Sequence, residues 1–129
     1  MWGAEYKSLQ GNMGLGRAIA YFTFNGIPIS IPLNDTQGYD LIADYNGKLK
    51  RVQIKTTMML NKNEDSYMVG LRNTGGASGK TKIRDFDKES FDLLFILCQN
   101  GNEYLIPVED ISVKTYITLT EDCNKFRLN

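Results

Sequence analysis

Leu15, Ala18, Ile19 and Phe22 recur at the spacing of one helical face and predict a first helix over residues 8–25. Ser8 or Asn12 is placed to cap its start, and Asn25-Gly26 reads as its stop. Gly11, Gly14 and Gly16 weaken the opening turns, so the regular part is expected from about Leu15. Residues 27–33 form a short apolar run with prolines at 28 and 32, which places a strand at a sheet edge or in an irregular segment. Residues 34–38 are a turn cluster.

Residues 39–57 read as two strands folded on Asn46-Gly47. Both residues accept the positive φ of a type I′ turn, which makes this pair the strongest short-range hairpin signal. With those two residues as the loop, Tyr45 faces Lys48 and Asp40 lies across from Gln53. Lys55 shares the face of Gln53 by the two-residue strand period. Val52 and Ile54 make the opposite face apolar and suited to pack on a helix such as 8–25.

Further strands are expected over 66–72, 92–98, 103–107 and 115–119. The 92–98 run is nearly all apolar, as a strand buried on both faces should be, and Asn100-Gly101 turns it into 103–107. Residues 85–90 and 108–111 suggest short helical turns, and the polar tail 120–129 should be loosely held. Residues 73–81 form a glycine-rich loop ending Gly79-Lys80-Thr81. It departs from a phosphate-binding loop, because Thr74 stands where the first glycine belongs and no strand-loop-helix setting follows. The whole chain reads as one domain with its core over about 8–119.

Composition narrows the function. The 129 residues include no histidine, so histidine bases and the usual zinc sites are excluded. Cys98 and Cys123 have no metal-ligand spacing, and Cys98 reads as a small buried hydrophobe. No apolar run is long enough to span a membrane and no signal peptide opens the chain, so an intracellular protein is expected, of cellular or phage origin. The net charge is zero but segregated. Residues 48–84 carry nine Lys or Arg against Glu64 and Asp65, a balance of +7, while residues 1–47 carry −2 and 85–129 carry −5. A basic segment of this kind suits either a phosphate-backbone partner or a solvated surface.

One carboxylate, one carboxamide and one lysine on a hairpin face can serve phosphodiester hydrolysis. Asp40, the Gln53 side-chain carbonyl and the Ile54 backbone carbonyl offer oxygen ligands to Mg2+, or to Mn2+ in its place. Lys55 can position or deprotonate water and offset phosphate charge. The same residues also suit an ordinary solvated hairpin face with Asp40 paired to a lysine.

Gly38-Tyr39-Asp40-Leu41-Ile42 followed by Arg51-Val52-Gln53-Ile54-Lys55-Thr56 resembles the PD-(D/E)xK nuclease superfamily, and within it the group I intron homing endonucleases. Pro32, Asp35, Phe91 to Phe95 and Tyr104 to Ile111 match that branch in order and spacing, so the resemblance covers roughly residues 10–111. It implies an α/β (α+β), restriction-endonuclease-like fold with a mixed central β-sheet flanked by helices. It also implies metal ligation by Asp40 and Gln53 and a catalytic Lys55. Many members carry a glutamate on the first helix, where this chain has Leu15; Asp35, Asp44 or a DNA oxygen is left to fill that place. The implied partner is double-stranded DNA, contacted by Arg51, Thr56, Arg72, Lys80, Lys82 and Arg84, and cut by a homo-oligomer. A Holliday-junction-resolving nuclease and a non-cleaving DNA-binding module on the same scaffold are the competing readings.

Overall fold

The computed structural model describes residues 1–34, 36–74, 83–84, 86–113 and 115–129, with backbone only at 73–74 and 83–84. A 3-10 turn at Ala4–Tyr6 leads into α1 (Lys7–Phe24). The strands are β1 (Ile29–Ser30), β2 (Leu41–Tyr45), β3 (Lys48–Thr57), β4 (Met68–Gly70), β5 (Asn73–Thr74), β6 (Ile83–Arg84), β7 (Leu93–Cys98), β8 (Glu103–Pro107) and β9 (Tyr116–Thr118). Five of them form one sheet in the order β1-β2-β3-β7-β8. Only the β3–β7 pairing is parallel, so the sheet is mixed.

The helix starts eight residues earlier than Leu15, and neither Ser8 nor Asn12 caps it; Tyr6 holds the N-cap position without a side-chain bond. Packing explains why the glycines do not delay it. A Cβ on Gly14 would lie 2.7 Å from Thr56 Cγ2 and 3.1 Å from Ile54 Cγ2, so the missing side chain lets α1 approach β3. The stop is as expected: Gly26 has φ 70, its N–H bonds to Thr23 O and the Ile27 N–H bonds to Phe22 O, a Schellman closure.

The sheet has two unlike faces. On one, Ala18 and Phe22 of α1 pack on Leu41, Ala43, Val52, Phe95 and Leu97. On the other, Leu94, Ile96, Cys98 and Ile106 are covered by Val69, Leu71, Ile117 and Leu119. This second cover is the β4–β9 ribbon, so the 66–72 strand pairs with Tyr116–Thr118 outside the main sheet. β7 is buried on both faces, as its apolar run predicts. Burial raises the Cys98 thiol to about 12.

Among the described residues α1 is the one α-helix, and it is not long and apolar enough to cross a membrane. Residues 108–110 form a 3-10 turn, whereas residues 87–90 make a plain turn closed by the Ser90 N–H on Asp87 O. The tail is not loose. It forms a 3-10 segment at Glu121–Phe126, and Leu128 and Asn129 hydrogen-bond Glu103 on the β8 edge. Of the glycine-rich loop 73–81, positions 73–74 pair with β6 and the rest lie outside the described residues.

Two glycine substitutions on the same helix test the close approach. Gly14→Ala should destabilise the protein by about 1–2 kcal/mol, because overpacking exceeds the gain in helix propensity. Gly16 faces open space, so Gly16→Ala should leave stability unchanged or raise it by up to about 1 kcal/mol. Urea denaturation of both variants checks this, and equal effects would exclude the packing account.

Candidate active site

The site is made where β2 leaves β3. Asn46 and Gly47 have φ 56 and 93, and the strands pair from Tyr45↔Lys48 to Leu41↔Val52 in the register that the turn predicts. Pairing then ends one residue short of Asp40↔Gln53. The Asp40 N–H donates to Val52 O at 2.8 Å, and the chain before it turns away to pack Gly38 against Ser90. The other edge of Gln53–Thr57 stays bound to β7. Asp40 reaches across the gap with its side chain, and Oδ2 accepts the Ile54 N–H at 2.7 Å. Asp40 therefore joins β3 at Ile54 by its carboxylate, which corrects the expectation that it lies across from Gln53.

The opened edge borders a cavity of about 480 Å³. Asp40, Ile54, Lys55 and Thr56 form its β side. Gly11, Asn12 and Leu15 of α1 and the 31–34 segment close it. Burial raises the Asp40 pKa above 3.8, partly countered by the Ile54 N–H and by the positive charge of Lys55. Burial lowers the Lys55 pKa below 10.5, partly countered by the Asp40 charge. The two groups thus feel each other inside one half-desolvated cavity.

Gln53 does not line the cavity. Its Nε2 lies 3.4 Å from Ile54 O, so the end of its side chain sits beside the carbonyl expected to ligate metal.

A family model for PD-(D/E)XK endonuclease matches residues 6–127. The chain belongs to this family. Among solved structures it is similar to a bacterial homing endonuclease, I-Ssp6803I, with 25% sequence identity and a TM-score of 0.79 over 97% of this chain and 89% of that one. No curated protein sequence matches the chain. The five-stranded mixed sheet with α1 on one face is thus the restriction-endonuclease-like fold, reached here with a β-ribbon rather than a second α-helix on the far face among the described residues.

PD-(D/E)XK nucleases generally use divalent metals, and the donors of this endonuclease suit a hard cation in type. They are the Asp40 carboxylate, the Ile54 carbonyl and neighbouring carboxamides, all oxygen donors. They are sparse in charge: no group of three or more His, Cys, Asp or Glu gathers among the described residues. Leu15 does face the cavity and brings no oxygen. Asp44 Oδ1 accepts the Gly47 N–H at 2.6 Å and serves the turn, while Asp35 lies outside the described residues.

Two of the residues expected at DNA are bound within the chain. Arg51 binds Asp92 through its backbone N–H at 2.8 Å and its guanidinium at 3.2 Å, which holds the Asp92 carboxyl below the usual range. This ion pair ties β3 to the start of β7. Thr56 lies on the α1 face, where its hydroxyl accepts the Gln10 amide at 3.0 Å. Arg72 is exposed just after β4. Lys80 and Lys82 lie outside the described residues, and Arg84 is described by its backbone in β6. Asn12, Asn34 and Tyr39 are cavity residues that motif reading passes over; for Asn12 the signal is its place one turn before Leu15 on the same helix.

The coupling of Asp40 and Lys55 predicts a titration with a definite sign. Asp40 of the metal-free protein should titrate above 3.8, and Lys55→Met should move it higher still, since that removes the attraction favouring the carboxylate. Carboxyl carbon NMR reads both. A Lys55→Met protein with an unmoved Asp40 would show that the two groups do not interact.

Proposed function

We propose that the protein is a Mg2+-dependent endonuclease that hydrolyses phosphodiester bonds of double-stranded DNA at a defined site. The observation that carries this reading is the convergence of Asp40, Ile54 and Lys55 on one cavity at the opened edge of β3. When bound, the cation supplies Lewis-acid polarisation of the phosphate and of the attacking water. Asp40 and the Ile54 carbonyl would hold it, and the Gln53 carboxamide, whose Nε2 donates to that carbonyl, would have to turn its oxygen toward the cation to join them.

The chain's own residues then account for orientation and the proton. The Ile54 N–H fixes one oxygen of Asp40 at the opened edge of β3. Lys55 sits on the strand residue next to Ile54. Burial favours its neutral form, so it can take a proton from water or return it as ammonium beside the phosphate. The Arg51–Asp92 pair holds β3 against β7 and keeps these groups in register.

Arg72, Lys80, Lys82 and Arg84 follow the catalytic strands in the basic segment and are proposed to grip the DNA backbone. Arg51 and Thr56 support the site from within. Cutting both strands favours a symmetric pair of subunits, because one cavity holds one set of these groups.

Supercoiled plasmid incubated with the protein should be nicked and linearised with Mg2+ and left intact with a chelator. Asp40→Ala and Lys55→Ala should each slow cleavage by at least about 10²-fold. Full activity in both variants would displace the site, and a wild-type protein that binds DNA without cutting any duplex or four-way junction would refute the enzymatic reading. DNA affinity should fall steeply with salt, and Arg72→Ala should reduce the log–log slope by about one. A slope near zero would remove the basic segment from the interface.

A further inference from the structure

The cavity wall contributed by α1 has a polar member with no assigned role. Asn12 and Leu15 lie one turn apart on α1 and both face the cavity that contains Asp40 and Lys55. Two other polar side chains there have partners of their own. Asn34 Oδ1 accepts from Thr36 Oγ1 at 3.0 Å and from Gln37 Nε2 at 2.8 Å, which shapes its own turn. Thr56 Oγ1 accepts from Gln10 at 3.0 Å. Tyr39 packs against the apolar cluster on the far face of the sheet. Asn12 is exposed, does not cap the helix, and has no hydrogen-bond partner among the described residues.

We propose that Asn12 supplies the helix-borne oxygen ligand of the divalent cation held by Asp40 and the Ile54 carbonyl. The proposal rests on the nuclease reading above. A hard cation takes neutral carboxamide oxygens as well as carboxylates, and binds more tightly as the ligand set gains charge. With Asp40 the one carboxylate among the described cavity residues, a neutral third ligand makes a weak site that substrate phosphate can complete. The position should therefore tune affinity: a carboxylate there tightens the site and a methyl group loosens it.

Mn2+ titration followed by NMR tests this without reference to cleavage. In the wild-type protein the Asn12 side-chain amide and the Ile54 backbone amide should broaden together at the lowest Mn2+ concentrations. Asn12→Asp should bind Mn2+ about tenfold more tightly and Asn12→Ala about tenfold more weakly. Asn12 is exposed, so both variants should melt with the wild type, and Asn34→Ala serves as a cavity control. If both Asn12 variants bind Mn2+ like the wild type while Asp40→Asn binds it weakly, the role of Asn12 is overturned and the Asp40 site stands. If the wild type shows no broadening at either residue, the cation site falls and Asn12 falls with it.

Discussion

A single hydrogen bond, from the Ile54 N–H to the Asp40 carboxylate, replaces the strand pairing that β2 gives up. An unpaired strand edge exposes backbone donors and acceptors that must be satisfied. Here one donor is satisfied by a carboxylate, and this holds that carboxylate over the edge. The Ile54 carbonyl, beside the Gln53 amide, and Lys55 border the same cavity. Extending the ladder by one more pair would satisfy the backbone equally well and close the site. The meeting of Asp40, Ile54 and Lys55 at one cavity is therefore a consequence of where the hairpin stops.

That opened edge is tolerated because β3 is held everywhere else. Its other side pairs with β7 over six residues, and Arg51 clamps the entry to that pairing through Asp92. On the helix face, Gly14 lets α1 sit close enough for Thr56 and Ile54 to pack under it. Thr57 bonds to Met68 on the far face and ties β3 to the ribbon. A strand anchored on three sides can leave its fourth side for chemistry, in keeping with sites built on rigid elements.

The parts of this design set by local chemistry were legible in the sequence. Asn46-Gly47 dictates a turn with positive φ, and the turn dictates the register that brings Asp40 near β3. The alternation of Val52 and Ile54, the Asn25-Gly26 stop and the apolar run of β7 likewise report on neighbours close in the chain. Contacts between distant residues were not legible. Nothing local says that 68–70 pairs with 116–118, that the tail docks on β8, or that Arg51 meets Asp92 41 positions away. The glycines of α1 show the limit clearly. Propensity counts Gly14 against a helix, while its value lies in a contact with Thr56 that only the fold creates. The side-chain reach of Asp40 to Ile54 was also hidden, because strand periodicity describes backbone pairing and is silent where pairing ends.

The span of the hairpin bears on how the site comes into being. The Asp40–Ile54 bond joins residues 14 apart, whereas the parallel pairing of β3 with β7 waits on a loop of some 35 residues closing between Thr57 and Leu93. Short loops close sooner and at lower entropic cost, and distant parallel pairing is slow. The carboxylate and the lysine are therefore carried on a segment whose own pairing closes the shorter loop. Part of their cover comes from α1, which precedes the hairpin in the chain, and β3 is held from its other edge by β7, which follows it. The two groups that share the cavity thus become neighbours through local pairing, while the strand that carries Lys55 is fixed in the sheet only by a contact across a much longer loop.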